Sequence, residues 1–492
     1  MPGEQTLTLG TTLWMLSPEL VLLAAGLLVM ALDAVRPHQT HKAWLPYVAL
    51  AGLAASLAAA ISLWGTDGRV LSVLSVDPFA LVIKMVALAA MGLVVLNSAE
   101  YVRGRITRQG EFYTLLLFAA LAICLLGGAH DLMLIFLAFD FLSITSYVLT
   151  GYLRDEPRSA EAAIKYFLYG AALSAVMLFG MSWIYGITGS TDLGEIAAAL
   201  LGAESALRPM LLPALVFVLA GFAFKVGAVP FHQWAPDVYE GAPTPVTAFI
   251  SVGPKVAGFA IIVRVVLTAL PAELGLLTAD WRSLMMAIAA LTMTVGNLVA
   301  LWQTNIKRLL AYSSIAQAGY MLIGVAAASP LGVTAVALYL AAYALTNLGA
   351  FAAVIAFSNQ TGSDEIDDYA GLSKRAPKVA LVLFVCLLSL AGIPPTAGFL
   401  AKLFLFSAAI EEGLIWLALV GVINSVISLG YYWKIMRAMY LTPARTEEKI
   451  ETTPALAAVL VASGVGVLAV GILLAQPLVS LIETASQSFF GS

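Results

Sequence analysis

Apolar runs long enough to cross a bilayer recur from one end of this chain to the other, and that recurrence constrains the fold more than any other feature. A transmembrane helix takes ~20 consecutive apolar residues. Hydropathy gives fourteen candidate spans, near 17–35, 44–64, 79–101, 112–129, 131–153, 160–187, 209–229, 243–270, 282–302, 309–328, 331–358, 378–410, 413–434 and 455–482. Backbone groups in lipid must be satisfied internally, and for runs of this length only helices do so. The apolar–polar alternation of barrel strands is absent. The expected fold class is an all-α polytopic membrane protein of about 14 transmembrane helices. Composition agrees: 61% of residues are apolar, 11% are charged and the mean hydropathy is +0.94. A soluble domain carries roughly 25% charged residues.

Several chemistries drop out at once. Cys124 and Cys386 sit in separate apolar runs and fall short of the four thiolates an iron–sulfur cluster usually takes. His38, His41, His130 and His232 supply no stacked histidine pairs for haem on two spans. Neither a GxxxxGK[ST] loop nor a GxGxxG turn occurs. The chain is expected to hold no cofactor and no metal of its own. The first apolar run follows MPGEQTLTLGTTLW, which lacks a basic leader, so a cleaved signal peptide is not expected.

Lys and Arg favour the cytoplasmic side of a membrane. Sixteen of the twenty-five basic residues, among them Arg36, Lys42, Arg103, Arg154, Lys307, Arg308, Lys374 and Arg437, fall in the loops after spans 1, 3, 5, 9, 11 and 13. The opposite loops hold only Arg69, Arg208 and Arg282, and the termini hold none. Both ends should therefore face outward, and an even number of spans fits. Six basic residues remain inside spans: Lys84, Lys165, Lys225, Lys255, Arg264 and Lys402.

A faint internal similarity accompanies them. SYVLTG (146–151) and GYMLIG (319–324) share a tyrosine and a glycine at an offset of 173, and VGAVP (226–230) and LAGIPP (390–395) interrupt apolar runs at an offset near 165. Gly/Pro-broken spans at matching places in two halves point to a transporter's ion pathway. A shift of five spans makes the copies inverted.

An ionisable residue at mid-membrane carries a penalty of at least ~2.5–3.5 kcal/mol and reads as functional by default. Lys225, in AGFAFKVGAVPFHQW, directly precedes the Gly227–Pro230 break. Water in such a break lets a lysine gain and lose a proton; the alternative is a structural lysine that caps the carbonyls freed by proline. Lys255, in ISVGPKVAGFAII, lies near the middle of span 8, and Lys402 follows the second break in GIPPTAGFLA. Asp140, in IFLAFDFLSITSYVLTG, is the acid near the centre of span 5 and the expected partner of Lys225, either as an opening and closing pair or as a fixed one. His232, in the polar run PFHQWAPDVYEGAPTPV, either hands protons between lysines or is a hydrogen-bonded loop residue. Lys165 lies near the start of span 6, where it either joins the path or snorkels to the surface. Lys84 and Arg264 lie nearer span ends and read as structural. Ser313 and Ser314 either hold water in span 10 or serve helix packing. The stretch 363–378, SDEIDDYAGLSKRAPK, reads as a solvated cytoplasmic loop or amphipathic connector. Three central lysines, a central acid and a histidine at a break describe an ion-translocating membrane protein. The proton is the favoured ion, since sodium calls for clustered oxygen ligands.

Three blocks carry a family resemblance: FKVGAVPFHQWAPDVYEGAPTPVTAFISVGPK, TNIKRLLAYSSIAQAGY and LLSLAGIPPTAGFLAKLFLF. They resemble the antiporter-like membrane subunits of respiratory complex I, within that group the family of subunit N of bacterial NADH–quinone oxidoreductase and subunit 2 of the mitochondrial and photosynthetic enzymes. The resemblance implies fourteen helices with discontinuous helices 7 and 12 and two inverted five-helix repeats. These divide the chain into 1–111 (three helices), 112–270 (helices 4–8), 271–440 (helices 9–13) and 441–492 (helix 14). It implies a bacterial inner-membrane assembly whose other subunits carry FMN and iron–sulfur clusters and reduce quinone, with homologous antiporter-like chains as neighbours. The family's proton-path lysines fall on Lys165, Lys225, Lys255 and Lys402. In one departure, the family's usual helix 5 glutamate is here Asp140, one methylene shorter. A cation/proton antiporter subunit without electron transfer, or a membrane spacer without a proton path, are the competing readings.

Overall fold

The computed structural model describes residues 8–35, 42–202 and 204–490; Arg36, His38 and His41 lie outside them. Among the described residues, thirteen helices are continuous and apolar enough to cross a membrane. Span 12 is the fourteenth crossing, built from two shorter helices, Pro377–Ala391 and Ala397–Glu411. Span 7 is broken too: helix Glu204–Val226 stops, and Trp234–Gly241 resumes after a gap.

The sequence boundaries need two corrections. Span 14 does not run through 455–482. Its helix is Pro454–Ile472, whose 19 residues already measure about 28 Å, close to the hydrocarbon thickness. Leu473 and Leu474 both donate to the Ala469 carbonyl and close it, and a separate amphipathic helix, Ala475–Ser486, follows. Between spans 2 and 3 a two-stranded hairpin, Gly68–Val70 against Leu74–Val76, occupies what reads as plain loop. Of the two forms open to the stretch 363–378, the structure has the amphipathic connector and not the solvated loop. Ile366, Tyr369 and Leu372 are buried, Tyr369 stacks on Phe357 at 3.8 Å, and Arg375 donates to the Glu448 carbonyl.

Span 8, Thr244–Thr268, is the axis of the molecule, with every residue from Thr244 to Val266 buried. Enclosure by protein suits a span that carries Lys255 and Arg264, because an ionisable side chain facing lipid is costly. Small residues permit the enclosure, since association in lipid depends on close backbone approach. A Cβ at Gly258 would lie 2.6 Å from Val226 of span 7, and one at Gly296 of span 9 would lie 2.7 Å from the Ala316 nitrogen of span 10. Spans 10 (Ile306–Ala327) and 11 (Pro330–Thr361) are nearly as enclosed. Spans 5, 6 and 13 present apolar side chains outward, among them Leu137, Ile144, Leu168 and Val426.

Several local features recur 173 or 174 positions apart. Span 6 (Pro157–Thr188) and span 11 each have 32 residues, start on proline and end at a left-handed glycine, Gly189 and Gly362. Span 5 (Leu132–Thr150) and span 10 are capped by Asp131 and Asn305, whose side chains each accept two backbone N–H groups. Asp131 bridges to Asp192, and Asn305 to Glu365. The same backbone bonds frame each bridge: Leu132 N to Thr191 O at 2.9 Å and Ile306 N to Asp364 O at 2.8 Å.

Candidate functional site

Both breaks begin in the same way. Gly227 (φ 74°) and Gly392 (φ 83°) turn the chain out of the helix. The next amide closes each end by reaching back five residues, Ala228 N to Ala223 O at 2.8 Å and Ile393 N to Leu388 O at 3.0 Å. The carbonyls left over need other donors.

Lys225, on the last turn before the first break, is 1% exposed. Its Nζ donates to Ser143 Oγ of span 5 at 2.6 Å and lies 4.2 Å from the centre of the Phe139 ring. It does not cap the break: the Phe224 carbonyl accepts from Gly227 N at 3.0 Å and from the Trp234 indole N–H at 3.2 Å. The expected pair with Asp140 does not form. Asp140 accepts from Ser174 of span 6 at 2.8 Å, and no ion pair joins it to Lys225. Asp140 lies on the outward stripe of span 5 between Leu137 and Ile144, both exposed, whereas Ser143 is about 60° further round the helix and faces Lys225.

Lys255 is 3% exposed and donates to the backbone carbonyl of Ser314. The Ser314 hydroxyl bonds Tyr343 at 2.8 Å and Tyr239 at 3.0 Å. Next to it, Ser313 bonds the Tyr432 hydroxyl, which accepts from Gln317 at 3.2 Å. Gln317 also donates to the Leu390 carbonyl at 3.1 Å. Lys402, likewise 3% exposed, donates to that carbonyl at 3.1 Å, to Ala391 O at 3.0 Å and to Ser425 Oγ at 2.8 Å. Ser314, Ser313, Tyr432, Gln317 and a freed carbonyl of the second break thus link Lys255 to Lys402. Ser313 and Ser314 serve this polar track and not packing alone. A cavity of about 300 Å³, walled by Ile393, Phe399, Leu403, Val422 and Val426, reaches Lys402 from the outward face of the bundle.

His232 lies half-buried within the first break, and its Nδ1 has no hydrogen-bond partner among the described residues. No hydrogen bond joins it to the three lysines. Lys165 is a surface residue, its side chain 39% exposed, paired with Glu161 at 2.8 Å and Asp237 at 2.6 Å. Asp237 also takes Arg308 at 2.7 Å, and these residues with Arg158 and Glu240 line a cavity of about 190 Å³.

Sequence reasoning missed Ser143, Asp237, Gln317 and Ser425. Asp237 had a signal: it stands seven residues after Pro230, as Lys402 stands seven after Pro395. Lys84 and Arg264, which read as structural, are each ion-paired, with partners that carried no mark in the sequence. Lys84 meets Glu19 at 2.7 Å, and Arg264 grips Asp77 at 2.8 and 3.1 Å. Asp77 caps the start of span 3; burial pushes its carboxyl up, and the Arg264 guanidinium, with the Ala80 N–H and Lys84, holds it below the usual range.

Residues 129–428 match the family described as NADH:quinone oxidoreductase/Mrp antiporter, TM. NADH-quinone oxidoreductase subunit N of Moorella thermoacetica is 45% identical over 97% of this chain and 99% of its own length. NAD(P)H-quinone oxidoreductase subunit 2 of Microcystis aeruginosa is 42% identical over 96% of this chain and 92% of its own. A chain in the structure of respiratory complex I from Thermus thermophilus with bound aureothin superposes with a TM-score of 0.79 at 33% identity, covering 95% of this chain and 100% of that one. A chain of the Mrp complex from Dietzia sp. DQ12-45-1b gives 0.85 at 24% identity over 98% of each, a likeness of fold. With more than half its length inside the matched region and relatives aligned nearly end to end, the chain belongs to the NADH:quinone oxidoreductase/Mrp antiporter family of multi-pass membrane proteins.

Proposed function

We propose that this chain is a proton-translocating subunit of the membrane arm of an NADH–quinone oxidoreductase, the assembly for which its relatives are named. NADH oxidation and quinone reduction belong to partner subunits that carry FMN and iron–sulfur clusters, while this chain moves protons. Its other partners are membrane-arm subunits, homologous antiporter-like chains among them, and lipid. The outward apolar stripes of spans 5, 6 and 13 supply surface for both.

One observation carries the reading. Lys225, Lys255 and Lys402 are each at most 3% exposed, and none has a carboxylate within ion-pair reach among the described residues. Breaking or omitting the partner of a buried charge is strongly unfavourable, so a lysine locked in its charged form would be given an acid. These are given hydroxyls and carbonyls. A serine hydroxyl accepts from an ammonium and donates to a neutral amine, so Ser143 and Ser425 serve their lysines in both states.

In this scheme Lys165 and Asp237 form the inlet, Lys225 is the first deep site, Lys255 the centre and Lys402 the last. Asp140 tunes Lys225 through space, and His232 exchanges protons with water in the first break. The matched features at a shift of 173 or 174 support two inverted five-helix repeats, 112–270 and 271–440, flanked by 1–111 and 441–492. The distribution of basic residues supports a bacterial inner-membrane location with both termini outward.

The test uses inverted membrane vesicles containing the assembled complex. Lys225→Ala and Lys402→Ala should assemble yet lower proton pumping and coupled quinone reduction together, by about tenfold or more, as loss of a positioned proton-transfer group does. Wild-type pumping in both assembled variants overturns the reading. Purification in mild detergent tests the assembly: redox subunits and NADH–quinone reductase activity should accompany the chain. Recovery with polytopic chains alone, exchanging sodium for protons, would make it an antiporter subunit.

A further inference from the structure

A second set of titratable groups lies at the outer ends of the spans, away from the lysine track, and centres on His130. This residue sits between helices Gln109–Gly128 and Leu132–Thr150 and is anchored through its backbone. Its N–H donates to Val73 O of the hairpin at 2.8 Å, and its carbonyl accepts from Leu193 N at 3.0 Å. The side chain is 6% exposed, yet neither ring nitrogen has a hydrogen-bond partner among the described residues. Buried polar groups are overwhelmingly paired, so an imidazole with both nitrogens idle demands a reason.

Four charged groups, Arg69, Arg264, Asp192 and Asp77, act on the ring from the elements around it. Asp192, after span 6, puts Oδ2 4.0 Å from His130 Nε2. The same carboxylate accepts from Arg69 of the hairpin at 3.1 Å, and the Arg69 side chain is 47% exposed. Asp77, at the start of span 3, is held by Arg264 of span 8, the helix that also carries Lys255. Asp131, beside His130, is committed to the N–H groups of Met133 and Leu134 and to the Thr191 hydroxyl. Asp192 Oδ1 likewise caps its own helix, accepting from the Gly194 and Glu195 N–H groups, so Oδ2 is the oxygen with two candidate partners: a half-exposed arginine and a backbone-anchored imidazole without a hydrogen bond.

We propose that His130 is the proton-releasing residue on the outer face, gated by an exchange of partners at Asp192. This rests on the reading above, including its orientation. With Arg69 on Asp192 the imidazole is neutral. When Arg69 swings into solvent, Asp192 turns to His130, and Nε2 takes a proton arriving from the membrane interior. When Arg69 returns, the imidazolium loses its counter-ion and passes that proton to outside water. One proton enters and one leaves, and the arginine excludes the reverse flow. The resting state agrees: burial, with the Arg69 and Arg264 guanidiniums, holds the imidazole down at about 4.

The experiment measures NADH-driven proton uptake and quinone reduction in inverted vesicles of the assembled complex, as a function of luminal pH. His130→Gln should assemble and lower both rates by about tenfold, the low side of what a positioned acid–base group contributes. Arg69→Gln, at an exposed side chain, leaves Asp192 permanently to His130. Its acid-side loss of activity should move up by about one pH unit, the shift an opposite charge produces at this range. A purely structural role would leave that profile in place. Lys225→Ala separates the two claims. If it abolishes pumping while His130→Gln and Arg69→Gln pump with the wild-type profile, the release role is overturned and the proton path stands. If Lys225→Ala and Lys402→Ala also pump normally, the path itself fails. Should His130→Gln not assemble, an unmoved profile in Arg69→Gln overturns the proposal alone.

Discussion

The two broken spans use one backbone device and then hold their lysines in different ways. In span 12 the freed carbonyls of Leu390 and Ala391 hold Lys402 directly, and Ser425 adds a third contact. In span 7 the Phe224 carbonyl takes the Gly227 N–H and the Trp234 indole, and Ser143 is the one hydrogen-bond acceptor of Lys225 among the described residues. Lys402 follows its break and folds back over it, whereas Lys225 precedes its break and points away. The positions equivalent by distance from the proline are Lys402 and Asp237, a deep cation and a surface-paired acid. The same backbone device therefore fixes where backbone polarity is available, and the residues around each break decide whether a buried lysine or a surface ion pair lies there. Lys225 is the loosely held site and Lys402 the firmly held one.

The glycines should expose that difference most strongly. Gly392 needs its left-handed backbone, and a Cβ there would also lie 2.7 Å from Lys402 Cδ. Gly227 has the same backbone demand, and the nearest atom to its Cβ is Ile315 Cγ1 at 4.0 Å. A left-handed non-glycine residue costs roughly 1–2 kcal/mol, and overpacking adds about 1–3 kcal/mol. Gly392→Ala should therefore destabilise the complex more than Gly227→Ala and also displace Lys402, abolishing pumping. Thermal denaturation of the two purified variants checks it. Equal losses would mean that Lys402 does not depend on lying across its break.

The serines come next. A hydrogen bond to a charged group is worth about 1.5–3 kcal/mol, so Ser143→Ala, which removes the polar partner of Lys225, should slow coupled turnover by about tenfold or more. Ser425→Ala leaves two carbonyls on Lys402, and its effect should stay within about threefold, as for a bond whose loss is largely compensated. NADH–quinone reductase rates in vesicles rank the pair, and a reversed order would break the comparison. Asp140 sharpens it further. Because Asp140 sits on Ser174 and not on Lys225, Asp140→Asn should impair turnover less than Ser143→Ala, while Asp140→Glu, with the longer side chain, should be tolerated. Asp140→Asn as damaging as Lys225→Ala would mean that the acid reaches the lysine in the working cycle.

How much of this was legible in the sequence follows from range. The spans and both breaks are local: hydropathy finds the first, and Gly–Pro interruptions within apolar runs find the second. The buried lysines were legible because a charge inside a span has few bland explanations. Their partners were not. Ser143 and Asp140 are three residues apart on one helix, and only the rotation of span 5 decides which faces Lys225. Gln317, Tyr432 and Leu390 meet across three spans, and nothing local marks a glutamine or a carbonyl as part of a track. The end of span 14 at Ile472 was misjudged because Leu473 and Leu474 are as apolar as the helix they terminate.

The smallest expected effect concerns stability, at the His130 cluster and away from both breaks. The His130 imidazole titrates near 4 in the folded protein, against 6.5 for an unconstrained histidine. The folded state therefore binds its proton less readily than the unfolded state does. By linkage, the contribution of neutral His130 is fully present above about pH 6.5 and is lost progressively as the pH falls toward 4. Asp77, held below the ordinary carboxyl value of 3.8, loses its contribution only below that window. The melting temperature of the purified complex should accordingly fall between pH 6.5 and 4, and His130→Gln, with nothing to titrate there, should fall less over the same interval. Lys225→Ala, as a control inside the membrane, should keep the wild-type slope. Parallel slopes for wild type and His130→Gln would mean that the imidazole is already charged in the fold, and that Asp192 belongs to His130 rather than to Arg69.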